Sequence, residues 1–103
     1  MLNSILANEI VNALECGKNE IPWTQFRHCN VYTTICYEIY LSLNGKVYSV
    51  TPIKSYSTIV GFVYNNVVYE IGKYSRTTSK QFTQICNAYF SDYDRVYMEK
   101  RYC

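Results

Sequence analysis

A basic turn with an aromatic side chain is the part of this sequence best suited to bind a ligand. Lys73, Tyr74, Arg76 and Lys80 surround the predicted start of a helix, which Thr78 would cap, with Gln81 three residues later at the spacing of a capping box. Such a turn could hold a phosphate and stack a base, so nucleic-acid binding is one interpretation. A solvated charged turn that only starts a helix is the other. The formal net charge of +2 is too small to imply a polyanionic partner by itself.

Cysteine and histidine supply one weak candidate for a metal site. The set is Cys16, His28, Cys29 and Cys36, and it lacks the closely spaced ligand pairs of most zinc sites. The five cysteines are an odd number without regular spacing, which argues against a disulfide framework. We therefore expect ordinary reduced thiols and no cofactor, with structural zinc as the alternative. Cys86 falls on the apolar stripe of a predicted helix, where it would act as a small hydrophobic residue.

Catalytic groups are sparse. His28 is the only histidine, and its chain neighbour Cys29 would point to the opposite side of an extended segment. The carboxylates are scattered, and the four glycines form no phosphate-binding loop. We predict that the chain is not an enzyme.

Tyrosine is unusually abundant, with 12 residues among 103. Its rigid ring and polar tip suit protein interfaces, although AT-rich coding sequence also produces this bias. Together with the basic turn, Tyr32 and Tyr40 are our candidate partner-binding residues.

Hydrophobic periodicity predicts two helices and four strands. Apolar residues recur at helical spacing over residues 2–15 and again over 78–92. Strict alternation from Val31 to Leu43 predicts a strand, and Asn44-Gly45 predicts a hairpin turn. Further strands are expected over residues 46–51, where Pro52 would end the strand, and over 55–64 and 67–71. Residues 95–103 form either a further strand or a frayed tail, and their alternating pattern favours the strand.

These elements predict an α+β fold, a four-stranded antiparallel meander with an N-terminal and a C-terminal helix in one domain over residues 1–103. Both helices should cover one face of the sheet, leaving Tyr32, Cys36, Glu38 and Tyr40 on an open face. No apolar run could span a bilayer, and the N-terminus lacks a basic signal-peptide region. We expect a protein of the cytoplasm.

Two motifs carry a resemblance that covers roughly residues 53–90. Ser-Tyr-Ser-Thr-Ile-Val begins at Ser55, and Tyr-Ser-Arg-Thr-Thr-Ser-Lys-Gln begins at Tyr74, with Tyr69 between them. The pattern resembles a small domain of bacteriophages and mobile elements from low-GC Gram-positive bacteria, whose members commonly carry His or Arg where this chain has Gln81.

The resemblance implies a context rather than an activity. Small phage proteins of these hosts are often inhibitors of host defence, so the chain resembles an anti-CRISPR protein of the type II, Cas9-inhibiting kind. Such a protein would act in the host cytoplasm by binding a Cas9-type effector, or its guide complex, at a stoichiometric ratio. The alternative is a nucleic-acid-binding accessory protein that uses the basic turn at residues 73–80.

Overall fold

Two helices and eight short strands make up the computed structural model, which describes residues 3–16, 20–22, 29–31, 34–56, 58–71 and 76–98. In chain order they are α1 (Ser4–Cys16), β1 (Glu20–Pro22), β2 (Cys29–Val31), β3 (Thr34–Cys36), β4 (Ile39–Leu43), β5 (Lys46–Ser55), β6 (Thr58–Tyr64), β7 (Val67–Ile71), α2 (Arg76–Tyr89) and β8 (Asp94–Met98).

The strands form one mixed sheet in the order β1-β4-β5-β6-β7-β8, with β3 also on β5 and β2 on β3. Every pairing is antiparallel except that of β7 with β8, which are joined through α2 and run parallel. The predicted α+β class with two helices is confirmed. The sheet extends beyond the four antiparallel strands that we predicted, because β1, β2 and β8 join it.

The predicted single strand from Val31 to Leu43 was wrong in two places: Val31 ends β2, which pairs antiparallel with β3, and a second break separates β3 from β4 opposite a proline on β5. Cys36 pairs with Ile53 on β5 and Ile39 pairs with Val50, so β3 and β4 keep one common register. The interruption at residues 37–38 lies opposite residues 51–52, where Pro52 has no backbone N–H to donate. Our expectation that Pro52 ends its own strand was wrong: β5 continues to Ser55, and β6 begins only at Thr58.

Asparagine shapes both of the predicted hairpin turns. Asn44 and Gly45 have φ angles of 52° and 78°, as a two-residue type I′ turn requires. Asn65 and Asn66 repeat this conformation between β6 and β7, with φ angles of 50° and 65°. The side chain of Asn44 also donates a 2.9 Å hydrogen bond to Glu9 of α1. The first hairpin is therefore tied to the helix that covers it.

The two helices lie on opposite faces of the sheet, not on one face as predicted. On β6, Phe62 packs in the core beneath α1, while its neighbour Val63 packs in the core beneath α2. We call these the α1 face and the α2 face. Cys36, expected on an open face, is fully buried against α2. The reason is that strands with apolar residues on both sides require cover on both sides.

Helix α1 is capped by the residue that precedes it. The side-chain oxygen of Asn3 accepts a 2.8 Å hydrogen bond from the backbone N–H of Leu6. The predicted apolar stripe is confirmed at Ile10, Val11 and Leu14, which are buried. Ile5, expected on the same stripe, is 72% exposed instead.

Candidate functional site

Only two side chains of the predicted binding set lie in the part of the chain that the structure describes. Tyr40 is half-buried on β4, and Lys80 is exposed on the second turn of α2. Arg76 is the first residue of α2, but its side chain is not described. The predictions for Tyr32, Lys73 and Tyr74 lie outside the described residues.

The start of α2 differs from our prediction. The helix begins at Arg76, so Thr78 is its third residue and not its cap. Gln81, expected to complete a capping box, accepts a 2.9 Å hydrogen bond from the hydroxyl of Thr34 on β3. Thr34 is fully buried, and this bond satisfies a hydroxyl that would otherwise be costly to bury. The first turns of α2 are thereby held against β3.

A part of the α2 face lies outside the core cluster that packs beneath α2. It is formed by alternate residues of the β4–β5 hairpin and of the position before it: Glu38 just before β4, Tyr40 and Ser42 on β4, and Val47, Ser49 and Thr51 on β5. We call these six residues the open sheet surface. Val47 is 61% exposed and Ser49 is also exposed, whereas the other four are half-buried. Tyr40, which we predicted on a face opposite both helices, is half-buried on the α2 face instead.

The open sheet surface and the start of α2 lie on the same side of the molecule. Gln81 contacts Thr34, and Tyr40 is six residues further along the same strand line. At about 3.3 Å per residue this separates them by about 20 Å. An ordinary protein interface buries roughly 800 Å² on each partner, a patch on the order of 30 Å across. One protein partner could therefore contact both regions.

Tyr56 is an exposed aromatic residue that our sequence-based interpretation placed inside a strand. It lies in the turn between β5 and β6, where its side chain is 77% exposed and its φ angle is 56°. This left-handed conformation is uncommon for a bulky residue and costs on the order of 1–3 kcal/mol. The serines at 55 and 57 are the turn signal that could have located it. Because Ser55 pairs with Thr34, Tyr56 lies near the start of α2.

The side chain of Arg95 binds other residues of the fold. Its guanidinium forms a 2.9 Å ion pair with Glu70 of β7 and donates a 3.3 Å hydrogen bond to the hydroxyl of Thr83 on α2. It also lies 5.1 Å from the centre of the Phe82 ring. These contacts join β8 to both α2 and β7.

The cysteines do not support the zinc alternative within the described residues. Cys36 is disulfide-bonded, so the expectation of ordinary reduced thiols was wrong for this residue. Cys29 is its direct neighbour across the β2–β3 hairpin, a proximity that the seven-residue spacing could have suggested. Cys16 is a free, exposed thiol at the end of α1, while His28 and the side chain of Cys29 are not described. The described residues contain no group of three or more His, Cys, Asp and Glu side chains able to hold a metal ion.

Cys86 is a free thiol buried in the core beneath α2. Burial raises the pKa of this thiol because it disfavours the thiolate. The positive charge of Arg95 opposes the rise in pKa, and the negative charge of Glu70 adds to it. The residue acts as a small hydrophobic side chain, as its place on the helix predicted.

Comparisons with protein-family models, with curated proteins and with solved structures found no match to this chain. Among the described residues, no helix has the length and apolar character needed to cross a membrane.

Proposed function

We propose that this protein is a small non-catalytic binder that inhibits a host defence protein by occupying it at a one-to-one ratio. The observation that carries the proposal is the open sheet surface. It leaves Val47 61% exposed on the same face of the sheet as Tyr40. Tyrosine is enriched at protein interfaces, and the exposed Val47 adds apolar surface that a partner would remove from water.

Two further features support a protein partner. Tyr56 holds a strained backbone conformation at an exposed turn, and such strain is concentrated at binding and active sites. Lys80 supplies an exposed positive charge on α2. A surface that presents Tyr40 and Val47 among polar residues can bind a protein without any catalytic group.

The target that we propose is a Cas9-type nuclease or its guide complex in the host cytoplasm. The support is the resemblance of residues 53–90 to a phage domain, and the size of the chain, 103 residues. The net charge of +2 does not favour mimicry of duplex DNA, which calls for a strongly acidic surface. Contact with a protein domain of the nuclease is therefore the mechanism that we favour.

The test is a titration of the protein against a Cas9-type nuclease that is loaded with guide RNA. We expect DNA cleavage to fall linearly and to reach its minimum near one inhibitor per nuclease. Val47→Lys should weaken the inhibition at least tenfold, because it places a charge in the patch. Ile5→Lys is the matched control, since it makes the same kind of change at a residue that is 72% exposed on α1. That variant should inhibit normally.

Other outcomes separate the alternatives. Inhibition by far less than one equivalent, growing with time, would indicate an enzyme and overturn the proposal. Equal effects of the two lysine variants would exclude the open sheet surface. Binding to bare DNA or RNA that weakens steeply with added salt and needs Lys80 would favour the nucleic-acid alternative instead.

A further inference from the structure

The turn between β4 and β5 sets an asparagine side chain next to an accessible backbone nitrogen. Asn44 is exposed, and Gly45 follows it with no side chain of its own. A Cβ atom built on Gly45 would have nothing within 4 Å. The hydrogen-bonded ladder of the hairpin closes with the pair of Leu43 and Lys46, so the backbone N–H of Gly45 lies outside it. This nitrogen can therefore react with the side chain that precedes it.

The reaction in question is the loss of ammonia from an asparagine. The backbone nitrogen of the next residue bonds to Cγ of the side chain, and the amide nitrogen leaves as ammonia with the displaced backbone proton. Water then opens the resulting succinimide ring at either of its two carbonyl groups. One opening gives aspartate, and the other gives isoaspartate, in which the main chain runs through the former side chain. A following glycine favours the reaction because no Cβ atom hinders the attack.

Glu9 of α1 restrains this asparagine in the folded protein. The side-chain nitrogen of Asn44, which is the leaving group of the reaction, donates a 2.9 Å hydrogen bond to a carboxylate oxygen of Glu9. The amide has to give up this bond to turn towards the nitrogen of Gly45. Hydrogen bonds to a charged acceptor are stronger than those between neutral groups. The contact with α1 therefore slows the loss of ammonia.

We propose that Asn44 is a site of spontaneous deamidation and that Glu9 sets its rate. Water is the one co-reactant, and ammonia is released. In the aspartate product a carboxylate replaces the donor that Glu9 had bound, and the two like charges repel each other. The isoaspartate product lengthens the main chain of a two-residue turn whose geometry matches the paired strands. Either product therefore releases the β4–β5 hairpin from α1.

The second hairpin turn provides a comparison within the same chain. Asn65 and Asn66 have the same left-handed conformation as Asn44. Asn65 is followed by another asparagine, and Asn66 is followed by Val67, whose branched side chain crowds the backbone nitrogen. We therefore expect both to remain intact over the time in which Asn44 reacts.

The test is incubation of the whole chain in warm neutral buffer, followed by digestion and mass spectrometry. Exchange of an amide for a hydroxyl group raises the mass of a peptide, and fragmentation distinguishes aspartate from isoaspartate. We expect the peptide that contains Asn44 to gain this mass steadily. Glu9→Ala should raise the rate about tenfold, which corresponds to a hydrogen bond of about 1.4 kcal/mol. Glu15→Ala is the matched control, because it removes another carboxylate of α1, and it should leave the rate unchanged.

Two further measurements separate the effect of the fold from that of the local sequence. In urea the unchanged protein and Glu9→Ala should react equally fast, because the contact is then absent. Glu9→Gln keeps a side-chain oxygen that can accept the bond, so its rate in the folded protein should lie below that of Glu9→Ala. An Asn44 that stays intact, or a folded Glu9→Ala variant that reacts no faster than the unchanged protein, would overturn the proposal. Modification of Asn65 as fast as that of Asn44 would do so as well.

The consequence for the fold is tested with a substitution that reproduces the aspartate product. Asn44→Asp sets a carboxylate against Glu9 and should lower the melting temperature at neutral pH. Glu9→Gln in the same chain supplies an amide that can donate to the new carboxylate, so the double variant should recover most of the loss. A double variant as unstable as Asn44→Asp alone would contradict the part assigned to Glu9.

This proposal does not rest on the proposed function. Val47→Lys, which should weaken inhibition of the nuclease, should leave the rate of deamidation unchanged. Either proposal can therefore fail without the other.

Discussion

Replacement of Gly61 by alanine should destabilise this protein although it adds only one methyl group. Gly61 is buried on β6, where the register of β6 against β5 shifts. A Cβ atom at this position would lie 2.5 Å from Cε2 and 2.8 Å from Cζ of the Phe82 ring. It would also lie 2.7 Å from the carbonyl oxygen of Tyr69 on β7. All three distances are too short for a carbon atom, so the surroundings would have to move.

The expected magnitude follows from what would have to move. Phe82 is 2% exposed in the core beneath α2, so its ring has little space to retreat. The carbonyl of Tyr69 belongs to the backbone of a paired strand and is held by the sheet. Overpacking of this kind lowers the free energy of unfolding by about 1–3 kcal/mol. Alanine also makes the unfolded chain less flexible than glycine does, which raises the free energy of unfolding by about 0.4–1 kcal/mol. Because one of the two neighbours is backbone, we expect a net loss of about 2 kcal/mol.

The measurement is urea and thermal unfolding followed by circular dichroism. A loss of about 2 kcal/mol corresponds to a fall in melting temperature of roughly 10 °C for a domain of this size. Phe82→Leu in the same chain should recover part of the loss, since it removes the ring and leaves the Tyr69 carbonyl in place. Gly45→Ala is a useful comparison, because nothing lies within 4 Å of its Cβ position, and any loss of stability there reports the strain of its φ angle of 78° and not a steric clash. A Gly61→Ala variant as stable as the unchanged protein would refute the close packing of α2 on β6.

Two further predictions concern a cap and the thiols. Asn3→Ala should lower the free energy of unfolding by about 1 kcal/mol because it removes the cap of α1, whereas Asn12→Ala at an exposed position in the same helix should not. Alkylation followed by mass spectrometry should label Cys16 in the native protein and Cys86 only after unfolding, since burial both shields the latter thiol and raises its pKa. Cys36 should require a reductant as well, and its labelling without one would contradict the disulfide.

Local signals in the sequence predicted much of this fold. The alternation along residues 34–43 and the helical spacing of α1 and α2 depend on the repeat of each element, which the sequence displays directly. Asn44-Gly45 located its turn because few other residue pairs tolerate two positive φ angles. The α+β class follows from these elements.

Pairings between distant residues were not predictable in the same way. The parallel pairing of β8 depends on how α2 crosses the sheet, which no local pattern records. The sequence does contain a signal that both faces of the sheet are buried, but we did not use it. Residues 59–64 on β6 and 67–69 on β7 are nearly continuous apolar runs, typical of strands buried on both sides.

The candidate site, too, could be predicted only in part from the sequence. Tyr40 alternates with the core residues of β4, so its direction could be predicted from its position. The exposure of Val47 could not, because it depends on where α2 stops covering the sheet. Exposure of an apolar residue is a property of the packed molecule, and a sequence pattern alone would assign valine to the core.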